Sequence, residues 1–227
     1  KKTVSNSVDF AGNIDAYSTN DEPKASLPVI NKTIPEEMRP DTVYVGGVEF
    51  RLDNKAILCG GQTISLPENT KKINLLMASL NGDKYITLGE NSVKVNDVRE
   101  YYAGWDLYDF KEVAFTKDGK LGYEFTHSHT ENGDAKCQQL FFWNVEIEAN
   151  GDTLTLPVDR DILILAITAN NNDNTCNLAT ELYDNIKGRY FDYKMNVREK
   201  LTYFNSRRVN RLNDKGGAYR DRNKGRR

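Results

Sequence analysis

His127 and His129 are the only two histidines of the chain, and they lie within "FTHSHTENGD", residues 125–134, with Glu131 and Asp134 close behind. Imidazole nitrogens beside carboxylates are the ligand types of a zinc site, which needs short metal–nitrogen distances and further ligands in a tetrahedral array. A calcium site would instead draw on the oxygens of Glu131, Asp134 and backbone carbonyls. Residues two apart on a strand share a face, so both rings could reach one ion. Glu131 shares that parity only if the strand persists, and "TENGD" has the composition of a turn. The competing reading is structural: paired imidazoles at a hairpin edge, satisfying loop hydrogen bonds or contacting a ligand.

A second stretch with chemical potential is "REYYAGWDLYDF", residues 99–110, which gathers Tyr101, Tyr102, Trp105, Tyr108 and Phe110 in a polar, loop-like setting. Aromatic faces stack on the CH faces of sugars, and Asp106 and Arg99 could meet sugar hydroxyls. Trp105 with Tyr101, Tyr102, Asp106 and Arg99 is the candidate carbohydrate platform. The alternative is that Trp105 packs as a plug between sheets. Trp143, in the apolar run "LFFWNV", reads as core.

Other catalytic constellations are missing. Glycosidic acid/base work needs two carboxylates roughly 5–10 Å apart across a cleft, and no spacing among the 33 acids singles out a pair. There is no GxSxG elbow. "GGVEF" and "GGQTI" precede strand-like runs, not the helix that a phosphate-binding loop opens. The three cysteines, Cys59, Cys137 and Cys176, are widely separated and odd in number, which argues for buried thiols over a disulfide framework.

The elements that would position these residues are strands. "VYVGGVEFRL" (43–52) alternates, with Val48, Phe50 and Leu52 opposite Glu49 and Arg51. Further strand signals are "AILC", "QTISL", "KINLLMASL" (72–80), "KYITLG", "SVKVNDV", "KEVAFT" (111–116), "LGYEFTHS" (121–128), "QQLFFWNVEIEA" (138–149), "TLTLP" and "DILILAITA". Asn-Gly pairs at 81–82, 132–133 and 150–151 suggest type I′ hairpins, in which both central residues take positive φ. Many short strands joined by such turns predict an all-β fold, an antiparallel β-sandwich of jelly-roll or galactose-binding-like type over residues 43–197. The fully apolar "ILILA" predicts a central strand covered on both faces. Residues 1–42, rich in Asn, Asp, Ser and Pro, read as an extended lead-in packing on the sandwich, with one short strand near "SVDF". "NLATELYDNIKG" (177–188) predicts a short helix, with Asn177 and Gly188 as caps, and "RYFDYKMNV" a last strand.

Charge is unevenly spread. Residues 198–227 carry eleven Lys/Arg against three Asp/Glu, while the rest of the chain carries twenty against thirty. A basic tail on an acidic body reads as solvated or partner-docking, and nucleic acid is not the expected partner in the absence of a recognition motif. No apolar run approaches the roughly 18 residues of a membrane-spanning helix. The opening "KKTVSNSV" has no leader-like hydrophobic run, and the chain reads as a piece of a longer or processed polypeptide.

"VGGVEFRL" (45–52), "GQTISLP" (61–67) and "LLMASLNGD" (75–83) together resemble a β-sandwich attached to bacterial glycoside hydrolases, above all family 38 α-mannosidases and glycosyl-hydrolase-related proteins. "THSHTENGD", "QLFFWNVEI" and "LTLPVDRDILILAIT" continue the resemblance in order to about residue 169. It implies a non-catalytic accessory domain, whose catalytic partner is a separate α/β domain with its own zinc and Asp nucleophile, neither of which has a counterpart in these 227 residues. It also implies a periplasmic or extracellular setting, carbohydrate or the parent's catalytic domain as partner, and no cofactor beyond a structural metal ion. It places His127 and His129 at the end of a sheet strand, which favours the hairpin-edge reading. A self-standing carbohydrate-binding module and a metal-assisted glycoside hydrolase are the alternatives.

Overall fold

The computed structural model describes residues 5–99, 102–106, 112–116, 119–135 and 139–172, with side chains throughout except in 102–106 and 112–116. The chain divides into two compact units, residues 1–105 with 114–188 and residues 106–113 with 189–227. The second lies almost wholly outside the described residues, so the fold described is that of the first. The predicted helix at 177–188, the strand at 189–197, the basic tail, Cys137 and Cys176 also lie outside them.

The fold is an antiparallel β-sandwich built on a six-stranded sheet. Strands Ser5–Ser7, Ile162–Asn170, Lys72–Ser79, Leu140–Glu148 and Lys120–Phe125 lie side by side in that order, and Ile57–Leu58 pairs with the start of Ile162–Asn170. Lys72–Ser79 and Ile162–Asn170 are buried along their whole length. That is why residues 75–78 and 162–167 run apolar without alternation: both faces are covered. On one face Leu76, Ala78, Leu163 and Leu165 pack with Phe50, Phe125 and Phe142. On the other, Ile73, Leu75, Met77, Ile162 and Ile164 pack with Ile64, Leu66, Leu154 and Leu156. These last four belong to, or adjoin, the two-stranded pair of Thr63–Ser65 with Thr153–Thr155.

A bulge between Ile164 and Ala166 shifts the register of the last strand. One inserted residue exchanges the faces of everything that follows. Ile162 and Ile164 face the second cluster, and after the bulge Ile167 and Ala169 do so in their place. A second shift lies between Leu121 and Tyr123. There Gly122 is required by close approach, because a Cβ on it would stand 2.2 Å from Leu76 Cδ1 and 3.1 Å from the Phe142 carbonyl oxygen.

The lead-in is knitted into the core. Ser5–Ser7 pairs with Thr168–Asn170, Tyr17–Ser18 pairs in parallel with Ile34–Pro35, and Ala16, Tyr17, Leu27, Ile30 and Ile34 are buried in the first cluster. Turn chemistry differs from expectation. The type I′ pattern occurs inside "VYVGGVEFRL", where Gly46 and Gly47 take φ of 57° and 87° and fold Thr42–Val45 back on Val48–Arg51. At the Asn-Gly pairs only the glycines, Gly82, Gly133 and Gly151, have positive φ. These connections are therefore not type I′ turns centred on Asn-Gly.

Candidate functional site

His127 and His129 stand where the Lys120–Phe125 strand ends and a short hairpin, Ser128–Thr130 paired with Gly133–Ala135, begins. His129 lies directly opposite Asp134 in the register, which brings the Asp134 side chain to the same face. The connection is the two-residue loop Glu131–Asn132, closed by a hydrogen bond from Thr130 Oγ1 to the Gly133 carbonyl. Glu131 is exposed in this loop. The strand does not persist to it, and a different carboxylate joins the histidines.

That carboxylate belongs to Glu37. Thr33 and His129 exchange both backbone hydrogen bonds, each 3.0 Å long, and so dock the lead-in on the hairpin. Two residues after Thr33, Pro35 gives way to a single 3-10 turn, Glu36–Met38. Tyr123 donates its hydroxyl proton to the Met38 carbonyl, and Thr126 contacts the Met38 sulfur, which holds the turn against the end of the strand. Glu37 Oε1 then lies 3.1 Å from His129 Nε2 and 3.7 Å from His127 Nε2. Asp134 Oδ1 lies 3.2 and 3.8 Å from the same two nitrogens. The ligand-type atoms of Glu37, His127 and His129 are all within 4.8 Å of one another.

The cluster is graded from inside to outside. The His129 side chain has no exposure and that of His127 has 23 %, against 36 % for Glu37 and 54 % for Asp134. Behind His129 stand the buried hydroxyls of Ser18 and Thr33. The imidazole rings are 5.3 Å apart between centroids and tilted by 47°, so they converge on the carboxylates without stacking. Such a set can hold a cation or exchange a proton. Sequence spacing shows His127, His129 and Asp134 but conceals Glu37, because the backbone bridge that delivers it has no local signature.

The carbohydrate candidates are less fully placed. Tyr102–Asp106 is a strand where a loop was expected, and it pairs with Glu112–Thr116 in a two-stranded sheet of its own. Tyr101 and the side chains of Tyr102, Trp105 and Asp106 lie outside the described residues. Arg99 is placed, and its guanidinium is engaged by Asp97, Nε to Oδ1 at 3.0 Å and Nη2 to Oδ2 at 2.8 Å. Trp143 is buried in the core.

Residues 4–173 match the family model of the AziU2-like beta-sandwich domain, and the chain belongs to that family. A comparison with curated proteins finds no match. Among the described residues no helix is long and apolar enough to cross a membrane.

Proposed function

We propose that the chain is a non-catalytic accessory β-sandwich domain of a carbohydrate-active enzyme of the α-mannosidase-like kind, supporting the catalytic domain and contacting glycan. The observation that carries the reading is the placement of the aromatic-rich segment. Among the described residues, Tyr102–Asp106, with Trp105 in it, pairs with Glu112–Thr116 and is not a member of the six-stranded sheet. Leu140–Glu148, which carries the buried Trp143, is by contrast a member of that sheet. Aromatics on a separate hairpin suit ring stacking against a ligand. The resemblance of residues 45–169 to sandwiches attached to glycoside hydrolases supplies the ligand class.

The test is titration of the chain with mannose- and galactose-containing oligosaccharides, followed by calorimetry and tryptophan fluorescence. Saturable binding is expected, and Trp105→Ala should weaken it about tenfold or more, the equivalent of roughly 1.4 kcal/mol. Emission from the buried Trp143 reports that the variant remains folded. Absence of heat and of any spectral change across the panel refutes glycan contact.

A further inference from the structure

We infer that Glu37, His127, His129 and Asp134 form a zinc site that pins the lead-in to the His129 hairpin. The argument begins with protons. Thr33 has one hydroxyl proton, and it goes to the Lys24 carbonyl at 2.7 Å. The 2.5 Å contact between Ser18 Oγ and Thr33 Oγ1 is then donated by Ser18. Ser18 has no proton left for His129 Nδ1 at 2.9 Å, so the ring nitrogen donates and Ser18 accepts. His129 therefore carries its proton on Nδ1 and leaves a lone pair on Nε2, with Glu37 Oε1 and Asp134 Oδ1 to either side of it.

A nitrogen lone pair with carboxylate oxygens at 3.1 and 3.2 Å is repelled by both unless a cation lies among them. Hydrogen bonding does not relieve the conflict. Neither His127 Nε2 nor His129 Nε2 makes a hydrogen bond, although both atoms are buried: the oxygens near His129 lie off the direction that a ring N–H would take, and those near His127 are too distant, at 3.7 and 3.8 Å. A metal ion accounts for both facts. In a tetrahedral zinc site with bonds of about 2.0–2.2 Å, neighbouring ligand atoms stand roughly 3.3–3.6 Å apart. The four nitrogen–oxygen separations, 3.1, 3.2, 3.7 and 3.8 Å, straddle that interval. Two imidazoles favour zinc over calcium or magnesium, which take oxygen ligands. The Nδ1–H donation to Ser18 is the outer-shell bond that orients a metal-bound histidine. Glu37, His127 and His129 have ligand atoms within 4.8 Å of one another, and Asp134, near both imidazole nitrogens, stands in reach of the fourth position of a structural zinc site. The inference does not depend on the glycan reading.

The experiment uses the full chain, stripped with a chelator and titrated with zinc chloride by calorimetry, with metal content and melting temperature measured before and after. One equivalent is expected to bind and to raise the melting temperature, since an ion held only by the folded state stabilises it. Cobalt in its place should give the visible absorption of a four-coordinate ion. Glu37→Gln combined with Asp134→Asn alters two partly exposed side chains, so the fold should persist while affinity falls by about 100-fold or more. Ser18→Ala, which removes no ligand, should lower it by about 10- to 100-fold. No saturable zinc uptake by the unaltered chain, or equal uptake by the Glu37/Asp134 double variant, overturns the proposal.

Discussion

Asp97 accepts from both nitrogens of the Arg99 fork, from the Arg99 amide and from the Gly82 amide, at the base of the turn after Lys72–Ser79. Burial alone would raise its carboxyl, but these donors outweigh it and hold the group below the usual carboxylate range. A depressed folded value means stability that is present above the unfolded value of about 3.9 and lost as pH falls through the folded one. Asp97→Asn should accordingly cost about 1.5–3 kcal/mol at neutral pH, and the gap from the unaltered chain should narrow in acid. Urea melts at pH 7 and pH 3 measure both, and a gap that does not change with pH would assign the cost to shape, not charge. Sequence showed Asp97 and Arg99 as near neighbours but gave no reason to pair them, and Arg99 was read as a sugar contact. The same blindness hid Glu37. A residue delivered by long-range backbone pairing leaves no mark in local spacing, whereas His127 and His129, two apart in sequence at the junction of two strands, were visible as a pair from spacing alone.

At the scale of elements, periodicity carried most of the information where one face is solvated. Val48, Phe50 and Leu52 are buried as their alternation with Glu49 and Arg51 indicates. "ILILAITA" was legible as a buried strand, but its bulge was not, because every residue on either side of the register shift is apolar and suits both faces. The lead-in was read as draping over a sheet from its prolines and polar composition. Some of its apolar residues, Ala16, Leu27 and Ile34 among them, are fully buried. Leu27→Ala should therefore cost about 2–5 kcal/mol, as core truncations do, measured by denaturant unfolding. A loss well under about 1 kcal/mol would show that the segment lies on the sandwich without contributing to its core. The turns misled for a physical reason. Type I′ needs positive φ at both residues of a two-residue loop, which Gly46-Gly47 supplies, whereas at the Asn-Gly pairs only the glycine adopts it.

For the whole molecule, one sheet separates two apolar clusters, and Cys59 sits fully buried in the second of them. Burial, with the Asp159 charge adding to it, pushes its thiol up to about 12. An unfolded thiol ionises near 8.5, so this contribution to stability is full below that value and is lost as pH rises toward the folded one. With Cys137 and Cys176 replaced by Ser, Cys59 should resist a thiol reagent at pH 8 until the denaturant transition and then react in step with loss of tertiary signal. Fast labelling of the native state would instead reveal local opening beside Gly60. The pairing of Ser5 with Asn170 reaches beyond stability. It sets Ser5 and Asn170, near the two ends of the family-matched stretch, side by side on one sheet edge, joined by a 2.7 Å hydrogen bond between their side chains. A module whose ends adjoin inserts into a loop of a host protein without prising the host apart, and it tolerates permutation of its own chain order. The same seam closes a very long loop, which assigns that edge to the late, slow part of folding.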